Sequence, residues 1–490
     1  MTSLKKQSTK ALVWDFTGKI AGQSVGFIIS IFLARLLVPE DFGLLAMVNV
    51  VIALAATLID MGLGTALIQR KELSDAHYGS VFFFNIGVGI LLTIVLFIAA
   101  PLVGYFYKNA DLTSISRAMS FVFILSSIGN VIRIKLRKEL EYEIPTKGAL
   151  IGAAISGTVG IVMAFKGFGV WSLVIQSLLN PIIANTYLFY RVRWRPKLIF
   201  SWIAIKELWG FGFRMFISGI LDTIFVNIDS LIIGKLFNAA TLGYYFRARS
   251  LNNYVVNYSS GSLMSVLYPT LSKVQDDKRK FKSVVYKGYH LINLLAFFLT
   301  GLFFVIGDHL ILFLFGEKWL DSIPLFRLII LTAYGFPLST MLVNILSANG
   351  NSKAFLRLEI FKKIVFGAAL CFGFIWGIQG YLIANIVAWL IAIWLNIIFA
   401  SKEMKIGQWW FFKISGLYFF LALSLALSIK HFLSNIDIHH LVGIVVGAII
   451  YSFIFILIIG ISKIEGGILI WDELKKLDIK RKINKCLEKS

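Results

Sequence analysis

The chain has 490 residues, of which 58% are hydrophobic and only 15% charged, with a formal net charge of +22 and a mean hydropathy of +0.81. A soluble domain averages about 45–50% apolar and about 25% charged residues, so the composition is that of a membrane protein. Apolar runs of about 20 residues recur from end to end, too many to share one soluble core. They are continuous rather than alternating, which excludes a β-barrel.

The excess of positive charge does not point to nucleic acid, because the basic residues fall between apolar runs, as the positive-inside rule requires. Cys371 lies in an apolar run and Cys486 in the tail, so no disulfide framework is implied. The first apolar segment is too long for a signal-peptide core and contains Asp15 and Lys19, so no cleavable signal is expected.

Taken in order, the runs predict an all-α polytopic membrane protein of about fourteen spans, with ends uncertain by a few residues. The first six are Ala11–Leu37, Leu44–Ile68, Tyr78–Phe106, Ile115–Ile134, Pro145–Phe165 and Val170–Tyr190. Spans seven to twelve are Ile205–Ile233, Leu242–Leu271, Gly288–Ile306, Ile323–Ala348, Phe355–Trp376 and Ile378–Ala400. Trp410–Ile429 and Leu441–Ile461 complete the set, and a basic tail runs from Ser462 to Ser490. Alternate connections, starting with the N-terminus, hold about 36 of the 48 Lys and Arg residues; the other set holds about five, namely Lys108, Lys166, Lys235, Lys318 and Lys430. That asymmetry places both termini in the cytoplasm. No connection approaches the roughly 50 residues of a folded domain, so function must reside in the helices.

An internal repeat divides the chain. Ala34-Arg-Leu-Leu-Val-Pro-Glu-Asp-Phe-Gly43 aligns without a gap on Gly234-Lys-Leu-Phe-Asn-Ala-Ala-Thr-Leu-Gly243, setting Arg35 on Lys235, Leu36 on Leu236 and Gly43 on Gly243. Repeats on this scale are how transporters build two halves around a central site. The expected division is 1–200 (spans one to six), 201–402 (spans seven to twelve) and 403–490 (the last pair of helices and the tail).

No Walker A sequence, HExxH motif, Cys/His cluster or GxSxG elbow is present, so neither an ATP-driven pump, a metal site nor a hydrolase is indicated, and no cofactor is expected. The adjacent His439 and His440 read as a solvated external loop. The informative feature is charge inside the membrane, which is costly and usually faces a wet cavity or a partner. Asp15 and Lys19 share a helix face. Asp60 opens a polar patch that extends to Thr65. Asp222 and Asp229 are seven residues apart and nearly eclipsed, with Arg214 within roughly 80° of them around the helix. Span eight carries a stripe of Ser250, Tyr254, Asn257 and Gly261, entered by Arg247 and Arg249. These residues either form structural ion pairs or converge on one hydrated cavity.

The Ala34–Gly43 segment after a long first helix, the Thr241-Leu-Gly-Tyr-Tyr245 loop, the Tyr268-Pro-Thr-Leu-Ser272 exit and the number of spans together resemble the Wzx-type polysaccharide flippases of the MOP exporter superfamily. The resemblance covers the whole chain and implies two six-helix lobes in a V around a hydrated cavity, with two extra helices outside. It implies outward movement of undecaprenyl-pyrophosphate-linked oligosaccharide across the inner membrane by alternating access. Lys19, Arg214, Arg247 and Arg249 are then the candidates for binding pyrophosphate or acidic sugars. Asp15, Asp60, Asp222 and Asp229 depart from a purely cationic cavity; they couple H⁺ or Na⁺, or pair with those cations. The expected partners are the lipid-linked oligosaccharide, membrane lipid, and the polymerase and glycosyltransferases of the pathway. A multidrug exporter of the same superfamily is the alternative within transport. A membrane polymerase, ligase or glycosyltransferase is the alternative among enzymes, and would usually need a larger external domain.

Overall fold

A computed structural model describes residues 2–436, 438–462 and 466–468, so most of the expected basic tail lies outside the described residues. Among the described residues the chain forms sixteen α-helices and two short 3₁₀ turns, with no strand. Helix α1 is Thr2–Leu36, α2 Pro39–Asp60, α3 Leu63–Gln69, α4 Asp75–Tyr107, α5 Asp111–Lys138, α6 Glu143–Phe165, α7 Val170–Arg191 and α8 Trp202–Leu236. They are followed by α9 Ala239–Lys273, α10 Lys278–Phe315, α11 Ser322–Ile330, α12 Gly335–Ala348, α13 Ser352–Gly373, α14 Gly377–Met404, α15 Gln408–Ser434 and α16 His440–Ile461.

Twelve stretches among the described residues are long and apolar enough to cross a membrane. One of them, Ser352–Met404, contains both α13 and α14, broken by a 3₁₀ turn at Phe374–Trp376 and by Gly377 at φ +76°. Helix α9 is 35 residues long but is not among the twelve. Its Arg247, Arg249, Asn252, Asn253 and Asn257 lower its hydropathy, not its length. Every expected span therefore corresponds to helix. Two spans read as continuous are interrupted: the second breaks between α2 and α3, the tenth between α11 and α12. At the first break Met61 and Gly62 take left-handed conformations, φ +42° and +74°, which end α2 at Asp60.

The chain separates into two compact units, Met1–Phe246 and Arg247–Ser490. In the first, α1 packs on α6, α4 on α5, α6 on α7, and α8 runs along α2, α3 and α4. Small residues permit these approaches, as is usual where lipid removes the hydrophobic drive between helices. A Cβ on Gly152 would sit 3.0 Å from the Asn180 carbonyl oxygen, and one on Gly160 would sit 3.2 Å from that of Ser172, so α6 and α7 touch nearly backbone to backbone. The segment between α7 and α8 is tied to α4: Ser201 N–H donates to Ser80 Oγ at 2.7 Å, and Lys197 pairs with Asp75 at 2.6 Å.

In the second unit α10 is the spine, with α15 and α16 packed on it. Tyr289 in α10 is wholly buried and shares a hydrogen bond of 2.6 Å with Ser415 of α15, whose hydroxyl donates to Asn293 at 2.8 Å. Gly301 leaves room for the Tyr451 ring of α16. The exposed carboxylate of Asp277 caps α10 by accepting from the amides of Lys280 and Arg279, both at 3.1 Å. The Lys280 amide, helped by its ammonium, holds the Asp277 carboxyl below the usual range.

Candidate functional site

The two copies of the repeat meet each other inside the first unit. Helix α1 ends with Leu37 N–H donating to the Leu33 carbonyl at 2.9 Å, and α8 ends with Phe237 N–H donating to that of Ile233 at 2.9 Å, two hundred positions later. Next comes a helix start in each copy. At α2 the Asp41 carboxylate accepts from Val38 N–H at 3.1 Å, while at α9 the Asn238 side chain accepts from Thr241 N–H at 2.8 Å. These are the two halves of a capping box, one half in each copy. A Cβ on Gly43 would overlap the Ala239 carbonyl oxygen, and a Cβ on Gly243 would overlap that of Pro39. Positions 39 and 239 correspond, as do 43 and 243, so the contact is reciprocal and locally two-fold. Gly234 adds to it, leaving space for Tyr107 and Met47.

The predicted charged residues of this unit fall on α1, α2 and α8. Lys19 and Asp15 form an ion pair of 2.6 Å on the exposed face of α1. Arg214 and Asp222 both lie on the exposed part of α8. Arg214 forms no ion pair among the described residues. Helix α8 begins at Trp202, so Arg214 stands twelve residues in, roughly 18 Å along the axis at about 1.5 Å per residue. Asp229 is instead buried: its carboxylate accepts from Ser230 N–H at 2.7 Å and from the Tyr245 hydroxyl at 2.5 Å. Asp60, at the end of α2, accepts Gly64 N–H on both oxygens at 3.0 Å and the Asn130 amide at 3.2 Å. The break after Asp60 presses on α8, where a Cβ on Gly62 would overlap the Gly212 carbonyl oxygen two residues before Arg214. An apolar cavity of about 410 Å³ opens beside these helices, lined by Val51, Ala55, Leu92, Leu96, Phe106 and Leu231.

In the second unit Arg247 is 3% exposed, with its guanidinium 4.6 Å from the Phe315 ring centre and 4.9 Å from that of Trp319. In this conformation it serves packing and cation–π contact. Arg249, two residues on, is half-buried. The structure therefore brings Asp15 to Lys19 and the Asp60 break to the Arg214 stretch of α8, while Arg247 sits apart on its ring pair. Sequence reasoning passed over Tyr245 and Asn130 as partners of carboxylates. It also passed over Lys362, which is buried, paired with Glu359 at 2.6 Å and bonded to Ser339 at 3.3 Å. A helical pair three residues apart on an apolar face carries little sequence signal. His439 caps α16, and His440 meets His309 of α10 at 3.3 Å, rather than lying free in a loop.

Discontinuous helices, glycine-mediated packing and charge on membrane-spanning elements define a polytopic transport-type helical bundle. Its fold is shared with the lipid II flippase MurJ solved in an inward closed conformation, with a TM-score of 0.69 at 14% identity over 91% of this chain and 98% of that one. The chain belongs to the family described as polysaccharide biosynthesis protein, whose model matches residues 32–324. It is 27% identical over 386 residues to the lipopolysaccharide biosynthesis protein WzxC of Escherichia coli strain K12, covering 76% of each chain. Over 477 residues it is 24% identical to the succinoglycan biosynthesis transport protein ExoT of Rhizobium meliloti strain 1021, covering 92% of this chain and 93% of the relative. The family expected from the Ala34–Gly43 and Thr241–Tyr245 segments is the family found.

Proposed function

We propose that the protein moves lipid-linked oligosaccharide, on an undecaprenyl-pyrophosphate carrier, across the inner membrane by alternating access, for the assembly of a surface polysaccharide. Family membership supports the pathway, and the names of the relatives support transport within it rather than catalysis. Both termini face the cytoplasm in this reading, in line with the Lys and Arg asymmetry of the loops. Arg214 carries the reading: it is an exposed arginine twelve residues into a spanning helix, and among the described residues it forms no ion pair. A pyrophosphate supplies the negative charge that such a guanidinium binds through charge-assisted, often bidentate hydrogen bonds. Lys19, Arg247 and Arg249 are assigned the same chemistry, the binding of anionic head-group oxygens. The apolar cavity beside α2, α4 and α8 suits the isoprenoid tail.

The test is surface-polymer export in cells whose own copy is deleted, with membrane insertion checked in parallel. Arg214→Ala abolishes export while the protein still inserts, and Arg214→Lys restores part of it, since Lys keeps the charge but lacks the planar fork. Full export from Arg214→Ala would refute the role of this residue.

A further inference from the structure

A second cavity of the first unit, about 160 Å³, opens where α5 and α7 end and α6 begins, on the side that the loop charges assign to the cytoplasm. Its floor is apolar: Ile132 and Leu136 of α5 and Val192 just past α7, all buried. Backbone contacts fix both lips. After α5, Leu140 turns left-handed at φ +60°, and Glu141 N–H donates to the Leu136 carbonyl at 2.8 Å. After α7, the Arg195 guanidinium folds back and donates to the carbonyls of Phe189 and Val192. The Trp194 indole forms one wall, with the Lys135 ammonium 5.5 Å from its ring centre. The rim carries both signs of charge. Lys135 is paired with Glu139. Arg191, Arg193 and Glu141 are exposed, and none of these three side chains forms a hydrogen bond or ion pair among the described residues. Basic residues at the ends of spanning helices are usual on this face. An unpaired carboxylate lining the same cavity as two unpaired guanidiniums does not follow from that rule.

We propose that this cavity binds a zwitterionic lipid head group, that of phosphatidylethanolamine, with its phosphodiester on Arg191 and Arg193 and its primary ammonium on Glu141. Guanidiniums hold phosphate oxygens through charge-assisted, often bidentate hydrogen bonds. A primary ammonium has three N–H groups to offer a carboxylate. Phosphatidylglycerol would satisfy the arginines but bring a negative charge to Glu141 with no cation to meet it. Choline has no N–H to donate, and the aromatic face that would attract it is already met by the Lys135 ammonium. The glycerol backbone rests on the apolar floor, and the acyl chains stay in the bilayer. Because both lips are already held, little ordering is needed for binding.

The experiment uses the purified full-length protein in phosphatidylcholine nanodiscs and needs no transport substrate, so its outcome is independent of the transport reading. The probe is phosphatidylethanolamine with a free amine and a diazirine at the top of one acyl chain. Cross-links on peptides covering residues 132–144 and 188–195 are read by mass spectrometry. Saturable labelling is expected, which unlabelled phosphatidylethanolamine competes away and equal amounts of phosphatidylglycerol or soluble phosphoethanolamine do not. Arg191→Ala, Arg193→Ala and Glu141→Gln should each lower it roughly fivefold, the worth of one charge near a membrane surface. Arg193→Lys should label more strongly than Arg193→Ala. Glu141→Arg makes the unpaired rim wholly cationic and should reverse the preference, so that phosphatidylglycerol becomes the better competitor. All three positions are exposed, and an unchanged melting temperature checks that each variant is folded. Equal competition by phosphatidylglycerol in the unaltered protein, or full labelling of Glu141→Gln, would overturn the proposal by reducing the site to a basic surface. Soluble phosphoethanolamine competing as well as the lipid would overturn it by making the ligand a soluble one.

Discussion

Gly43→Ala and Gly243→Ala are the sharpest probes of the reciprocal contact between the repeat copies. Each adds one methyl group where the obstacle is a backbone carbonyl, of Ala239 in one case and Pro39 in the other. A side chain could rotate away; a carbonyl of a helix's first turn cannot move without moving the helix. Overpacking of this kind costs about 1–3 kcal/mol, which is roughly a tenfold to hundredfold shift between closed and separated arrangements at about 1.4 kcal/mol per decade. The methyl also fits the helical backbone of α2 and α9, so only the contact pays. Hydrogen exchange on peptides spanning residues 37–47 and 237–247 reads the opening. Each single variant should speed exchange in both peptides, because the contact is shared. The double variant should add clearly less than the sum of the singles, since a contact opened once has little more to lose. Exchange that rises only in the peptide carrying the mutation, or effects that simply add, would show that the two glycines do not form one clasp.

Other outcomes follow from single contacts. Tyr245→Phe leaves the buried Asp229 carboxylate without a donor it has at 2.5 Å; a loss of about 1–3 kcal/mol in denaturant or thermal unfolding is expected, and an unchanged midpoint would mean that its remaining donors suffice. Combining Arg214→Ala with Asp222→Asn should still fail to export polymer; full recovery would make Arg214 a charge partner rather than a ligand. Cysteine introduced at Asn435 should react with an impermeant maleimide in intact cells and one at Ser283 should stay protected, and the reverse pattern would invert the topology.

Much of the architecture was legible because lipid imposes simple rules. Apolar runs of sufficient length mark helices, and loop charge marks their sidedness. The repeat could be read because it preserves residues at a helix start, where Gly43 and Gly243 answer a steric demand that no other residue meets. The breaks after Asp60 and Leu331 were not legible. Neither contains proline, and a left-handed methionine such as Met61 carries no local sequence signal. The partners of the buried acids were hidden for a different reason. Asp60 and Asn130 are 70 residues apart, and Asp229 and Tyr245 lie on different helices, so nothing in local spacing joins them. Arg247 reads from the sequence as an arginine at the mouth of a polar stripe; its two aromatic neighbours come from the far end of α10 and the turn beyond it.

The carboxylates of the first unit bear on which substrate the path can take. An acidic cavity would favour a cationic drug, and the four acids singled out within the membrane, Asp15, Asp60, Asp222 and Asp229, lie on α1, α2 and α8. Three of them have local partners that account for much of their charge. Asp15 faces the ammonium of Lys19 at 2.6 Å. Asp60 accepts from a backbone amide and a carboxamide at the end of its own helix. Asp229 is buried under a tyrosine hydroxyl and the Ser230 amide. Hydrogen bonds to a carboxylate spread and stabilise its charge without cancelling it, but burial and distance keep its field from dominating an exposed surface. Arg214, by contrast, is exposed and forms no ion pair among the described residues. The exposed stretch of α8 around residue 214 thus presents a cation that forms no ion pair among the described residues, with Asp222 exposed on the same helix, and it is this cation that the proposed function assigns to an anionic head group.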